Sequence, residues 1–128
     1  MTRIKTQIQI LCLIAGMASM IALGLIARAQ PLYAAELLMF ETKGCPYCAL
    51  WRQEIGVIYP KTAEGALAPL RVIDMHKPMP DDLVKLKPVR YSPTFILFKD
   101  NEEIGRITGY PGEDFFWPML ANLLETPF

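Results

Sequence analysis

Between residues 36 and 58 the chain changes period, and two cysteines stand at the junction. Glu36 to Thr42, "ELLMFET", is an apolar run of strand length, and Lys43-Gly44 breaks it. From Pro46 onward Leu50, Trp51, Glu54, Ile55 and Ile58 recur at helical spacing, until Tyr59-Pro60 ends the pattern. Cys45 and Cys48 lie where strand gives way to helix, and Pro46 suits a first helical turn, where a missing N–H costs nothing.

A cysteine pair of this spacing has three uses. A structural zinc site needs four ligands, and beyond this pair and Cys12 the chain offers His76 as its one soft ligand. A purely structural i,i+3 disulfide closes a very small loop and stabilises little. A reactive dithiol needs an exposed cysteine at a helix N-terminus, where unpaired N–H groups and the positive end of the helix dipole favour a thiolate. Strand, glycine, CxxC and helix occur in the order that chemistry requires. On this reading Cys45 is the exposed nucleophile and Cys48, one turn on, resolves a mixed disulfide formed at Cys45. Lys43 beside them is screened by solvent and helps little.

The first 29 residues read as a targeting segment. Arg3 and Lys5 precede an apolar run of about 20 residues, Ile8 to Ala27, and Ala27-Arg28-Ala29 fits a signal-peptidase site. The run is also long enough to serve as an uncleaved N-terminal anchor. Ala34-Ala35 is a weaker cleavage site, and Cys12 follows Leu11, which does not suit lipid attachment. Either outcome exports the remaining domain, residues 30 to 128. Losing Arg3, Lys5 and Arg28 leaves 10 basic against 13 acidic residues, a net charge of about −3. That balance offers no basic surface for nucleic acid. Cys45 and Cys48 are then the only cysteines, in a domain long enough to bury a core without a disulfide framework.

Further strands are expected at Leu70 to Met75, Thr94 to Lys99 and Glu103 to Thr108, the last two joined as a hairpin through Asp100-Asn101-Glu102. Lys61 to Ala68 reads as a loop or a short helical continuation. Asp81 to Leu86 reads as a short helix, with Asp81-Asp82 capping its start rather than holding a metal. A terminal helix starts near Pro111-Gly112, with a kink or a start later than Glu113 because Pro118 falls inside it. The order β-α-β-α-β-β-α gives an α/β fold, a mixed four-stranded sheet flanked by helices, whose first βαβ unit is parallel and right-handed.

From about Leu37 to Leu124 the chain resembles the thioredoxin family. The resemblance rests on Cys45-Pro46-Tyr47-Cys48 after a strand, Ser92-Pro93-Thr94 before a strand about 45 residues later, and Gly109 before the last helix. It implies that Pro93 is a cis proline packed opposite the cysteines. It also implies that Pro46, Tyr47, Ser92 and Pro93 shape a substrate groove, Ser92 offering its backbone. The chain departs from cytoplasmic thioredoxins at Gly44, which stands in place of a tryptophan, and at Pro46-Tyr47 in place of Gly-Pro. Met39 occupies the position of a buried aspartate. Cys-Pro-Tyr-Cys is also a glutaredoxin sequence, but "GYPGEDFFW" is closer to the small exported thioredoxin-like proteins of bacterial sulfur-oxidation clusters. In that group the implied role is keeping the thiols of periplasmic sulfur-oxidation proteins reduced, with electrons from a membrane thiol transporter and no bound cofactor.

Other residues carry weaker signals. His76 reads as a solvated loop histidine rather than a proton relay, and Trp51 and Tyr59 as core or groove-rim residues. Phe115, Phe116 and Trp117 read as helix packing, with an exposed aromatic patch as the alternative. The expected function is a periplasmic thiol-disulfide oxidoreductase that reduces protein disulfides or mixed disulfides through the Cys45-Pro46-Tyr47-Cys48 dithiol, in sulfur oxidation. Three rivals stay open: a disulfide oxidant, a reductant for cytochrome c maturation, and a non-catalytic binding or metal module.

Overall fold

The computed structural model describes residues 35–125. The expected targeting segment lies outside them. Strands β1 (Glu36–Glu41), β2 (Leu70–Asp74), β3 (Thr94–Lys99) and β4 (Glu102–Thr108) form one sheet in the order β2-β1-β3-β4. β1 and β2 are parallel, while β1–β3 and β3–β4 are antiparallel. The helices are α1 (Pro46–Trp51), α2 (Ala63–Leu67) and α3 (Glu113–Leu124).

The central strands β1 and β3 are apolar between their end residues because both their faces are covered. Leu37 and Met39 of β1 join Phe95 and Leu97 of β3 in one cluster, packed with Trp51, Ile55, Phe116 and Leu120. Leu38, Phe40, Ile96 and Phe98 point the other way and meet Ile73 and Leu83. The alternation of a strand thus divides one apolar run between two cores.

Several elements differ from expectation. The helix after Cys45 is α-helical only to Trp51, then widens into a π-helical turn at Arg52–Gly56, and Tyr59–Lys61 is a 3-10 turn. A short α2, capped by the Thr62 hydroxyl, precedes β2. The helix expected at Asp81 to Leu86 is a single 3-10 turn, Asp81–Leu83. Pro80 holds its cap position, and Asp82 turns to Arg71 instead of capping (2.6 Å). The second apolar cluster is therefore covered by this turn and the chain running on to Val89.

The hairpin turn is tighter than expected, since β4 begins at Glu102. Asp100 and Asn101 both take positive φ (51° and 64°), which Asp and Asn tolerate best among residues with side chains. α3 starts at Glu113 rather than later, launched by Gly112 at φ 99°. Pro118 lies inside it on the exposed side, where water can take up the carbonyl its ring leaves without a donor.

Candidate active site

The cysteines sit beyond the end of β1, the strand buried on both faces. Gly44, at φ 78°, turns the chain there, in a region that disfavours a residue with a Cβ. Cys45 is the N-cap of α1, with extended backbone, and its Sγ accepts a hydrogen bond from the Cys48 N–H at 3.1 Å. Pro46 follows at the first helical position. The two sulfurs are joined as a disulfide, with the Cα atoms 5.3 Å apart. Cys45 is half-buried at the surface, whereas Cys48 is only 3% exposed and belongs to the core beside α1.

The loop before β3 closes over this pair. The Ser92–Pro93 bond is cis, and Pro93 is buried. Ser92 Oγ lies 3.2 Å from Cys48 Sγ and accepts the Thr42 N–H at 3.0 Å, so it touches both the buried sulfur and the segment leading to Cys45. The Pro93 carbonyl accepts the Gly109 N–H at 2.7 Å, which ties this loop to the end of β4.

Beside the disulfide a depression of about 330 Å³ runs between Tyr47 on one wall and Ser92, Pro93 and the segment 108–111 on the other. Tyr47 is 58% exposed, which leaves its ring free to meet a partner. The Tyr110 hydroxyl donates to Glu54 at 2.6 Å and thereby links the floor of the depression to the π-helical turn. Burial, then the Glu54 carboxylate, raise the Tyr110 phenol above its ordinary range. A second depression, about 370 Å³, reaches both cysteines from the other side and is edged by the ion pair of Glu41 and Arg52. A larger one, about 730 Å³ and lined by Lys85, Lys87 and Arg106, lies at the β3–β4 turn, the opposite end of the sheet.

The structure brings together Cys45, Pro46, Tyr47, Cys48, Ser92 and Pro93. Met39 is fully buried in the same cluster as Cys48, so an apolar thioether stands where cytoplasmic thioredoxins carry a buried aspartate. His76 is an exposed turn residue whose N–H bonds the Asp74 carboxylate. Trp51 and Tyr59 are core residues with no exposure, and Phe116 joins them. Trp117 stacks on Tyr59 with centroids 6.3 Å apart, while Phe115 is 65% exposed. The Ser92 hydroxyl, the Glu41–Arg52 pair and the Glu54–Tyr110 link carry no signal in the sequence. Their partners are 11 to 56 residues apart, with no periodicity to signal them.

A mixed four-stranded sheet with a CxxC pair at a helix start, its buried sulfur against the residue before a cis proline, defines a thioredoxin-fold thiol-disulfide oxidoreductase. The family model of the thioredoxin-like domain matches residues 28–124, and the chain belongs to that family. It is 52% identical to the periplasmic thioredoxin SoxS from Paracoccus pantotrophus, over 70% of this chain and 95% of that one, with a TM-score of 0.67. Thioredoxin f2 of Chlamydomonas reinhardtii (18% identity, 77% of this chain and 86% of that one, TM-score 0.54) shares the fold. So does the thioredoxin Mala s 13 of Malassezia sympodialis (18%, 70% and 75%, TM-score 0.53). No curated protein compared with the chain is a significant match.

Proposed function

We propose that this protein is an exported, periplasmic reductant of protein disulfides and mixed disulfides, working in sulfur oxidation. The observation that carries this reading is the 52% identity with a periplasmic thioredoxin named SoxS across nearly all of that protein. In the reduced protein, Cys45 attacks a sulfur of the target disulfide. Its electron pair forms the mixed disulfide, and one target sulfur leaves as a thiolate. Cys48 then attacks Cys45 Sγ, the bond to the target breaks, and the second target thiolate leaves. The product is the Cys45–Cys48 disulfide, and two electrons have passed to the target.

The exposure difference supports this division of labour, because only Cys45 can reach a protein-sized partner. Tyr47, Ser92 and Pro93 frame the depression in which an extended segment of the partner lies, and Pro46 lines the neighbouring one beside the cysteines. Electrons return through a membrane thiol transporter, so no bound cofactor takes part.

The deciding experiment is the reduction potential of the Cys45–Cys48 pair, measured against glutathione or dithiothreitol, together with insulin-disulfide reduction. A value near about −270 mV is expected for a reductant. A value near about −120 mV would make the protein an oxidant.

A further inference from the structure

We infer a second role for Ser92: its hydroxyl donates a hydrogen bond to Cys48 Sγ and stabilises that sulfur whenever it carries negative charge. This rests on the dithiol chemistry proposed above and gives Ser92 a side-chain function besides its backbone place in the groove. The donor direction follows from valence. Cys48 Sγ is bonded to Cβ and to Cys45 Sγ and carries no proton, so at 3.2 Å the proton between sulfur and oxygen belongs to Ser92. The hydroxyl oxygen meanwhile accepts the Thr42 N–H at 3.0 Å, which orients it and polarises its O–H toward the sulfur.

The need for such a donor is set by the surroundings. Cys48 is 3% exposed, in a cluster with Leu37, Met39 and Trp51. Burial of that kind disfavours a thiolate, and a fixed donor to the charged form opposes it. Hydrogen bonds to ionised acceptors are roughly twice as strong as neutral ones, so this one strengthens as charge builds on sulfur.

It acts in both directions of exchange. When the disulfide is reduced, an incoming thiolate bonds to Cys45 Sγ, and the electron pair of the Cys45–Cys48 bond moves onto Cys48 Sγ. Ser92 then stabilises the leaving group. When a mixed disulfide is resolved, the Cys48 thiol gives its proton to water and the thiolate attacks Cys45 Sγ. The partner sulfur departs with the broken bond's electron pair and is protonated by water. Lowering the Cys48 pKa by one unit raises its thiolate fraction about tenfold at neutral pH. With a Brønsted coefficient of about 0.4–0.5, intrinsic nucleophilicity falls only about threefold. The net gain in resolution is about threefold.

The test uses the full chain carrying Cys45→Ala, with alkylation at Cys48 followed against pH by peptide mass spectrometry, so that Cys12 does not contribute. Adding Ser92→Ala should raise the Cys48 pKa by about one unit, and Ser92→Thr, which keeps the hydroxyl, should restore it. An unchanged or lowered pKa in Ser92→Ala, or an equal rise in both variants, would overturn the role. Should the alanine variant not fold, the reduced wild-type protein decides by NMR. The Thr42 amide shift should follow the Cys48 titration, and a Thr42 amide indifferent to it would overturn the relay. Failure of the wild-type chain to reduce insulin would instead overturn the redox reading, since the Cys48 titration needs no partner.

Discussion

Two cysteines three residues apart occupy different media, and their reactivities should differ accordingly. Cys45, at the surface, should alkylate near neutral pH much faster than Cys48, buried to 3%. Cys48→Ser should trap partners as mixed disulfides on pull-down, and Cys45→Ser should trap none. Equal alkylation rates would sink this assignment. Trp51 is the central residue of the adjoining core, within 5.1 to 6.2 Å of the Phe95, Phe116 and Tyr59 ring centres. Its Nε1 is buried with no hydrogen-bond partner among the described residues, so its contribution is read as packing. Trp51→Ala should cost about 3–5 kcal/mol. Trp51→Phe, which loses volume but no hydrogen bond, should cost about 1–2 kcal/mol. Chemical denaturation measures both, and similar losses would contradict a purely packing role.

At the scale of elements, α3 packs on β4 so that a side chain at Gly105 would meet the end of Leu123. A Cβ there would stand 2.6 Å from Leu123 Cδ2. Because that atom ends a flexible, half-buried side chain that can turn aside, Gly105→Ala should destabilise by less than about 1 kcal/mol. Leu123→Ala added to it should recover part of that loss. Simple additivity of the two changes in denaturant unfolding would show that the contact does not limit the packing. The Glu41–Arg52 pair joins β1 to the π-helical turn with the arginine side chain 47% exposed. A pair so open to water contributes little. Arg52→Ala should change stability by less than about 1 kcal/mol, and a larger loss would show a structural role that exposure does not explain.

For the molecule as a whole, two buried phenols set its behaviour in alkali. Burial raises the Tyr59 phenol well above its ordinary value of 10.0, with the Glu64 carboxylate adding to it, and Tyr110 shifts the same way. The native state therefore holds these protons more tightly than the unfolded chain. Their contribution is complete below pH 10 and is lost as pH rises through the unfolded value and beyond. The urea midpoint should be steady from neutral pH to about pH 9 and fall steeply above pH 10. Tyr59→Phe, which also loses the 2.7 Å bond to the Ala68 carbonyl, should lower stability at pH 7 but flatten that fall. An equally steep decline in the variant would assign alkaline unfolding to other groups. The proposed export is a whole-chain expectation. Fused to a reporter, residues 1–35 should carry it across the inner membrane, and the processed chain should begin at Gln30. Reporter held in the cytoplasm would refute export, and full-length protein held at the membrane would refute cleavage.

Local chemistry determined much of this protein before any folding was considered. The change from a continuous apolar run to helical spacing at Cys45-Pro46-Tyr47-Cys48 set the strand, the turn and the helix start, because each depends on neighbours within a few residues. The same holds for β3, whose alternating side chains feed two cores, and for the hairpin at Asp100-Asn101. The short turn at Asp81–Leu83 was not legible, since its place over Phe40 and Ile96 comes from burial of Leu83 rather than from helical propensity. The widening of α1 at Arg52 was equally hidden. Only the tertiary structure set Ser92 Oγ against Cys48 Sγ, 44 residues away in the chain. It alone left Cys45 at the surface while sinking Cys48 into the core. Sequence spacing fixes which sulfurs can meet, but burial and long-range hydrogen bonds are properties of packed surfaces, and those exist only once the sheet has closed over its helices.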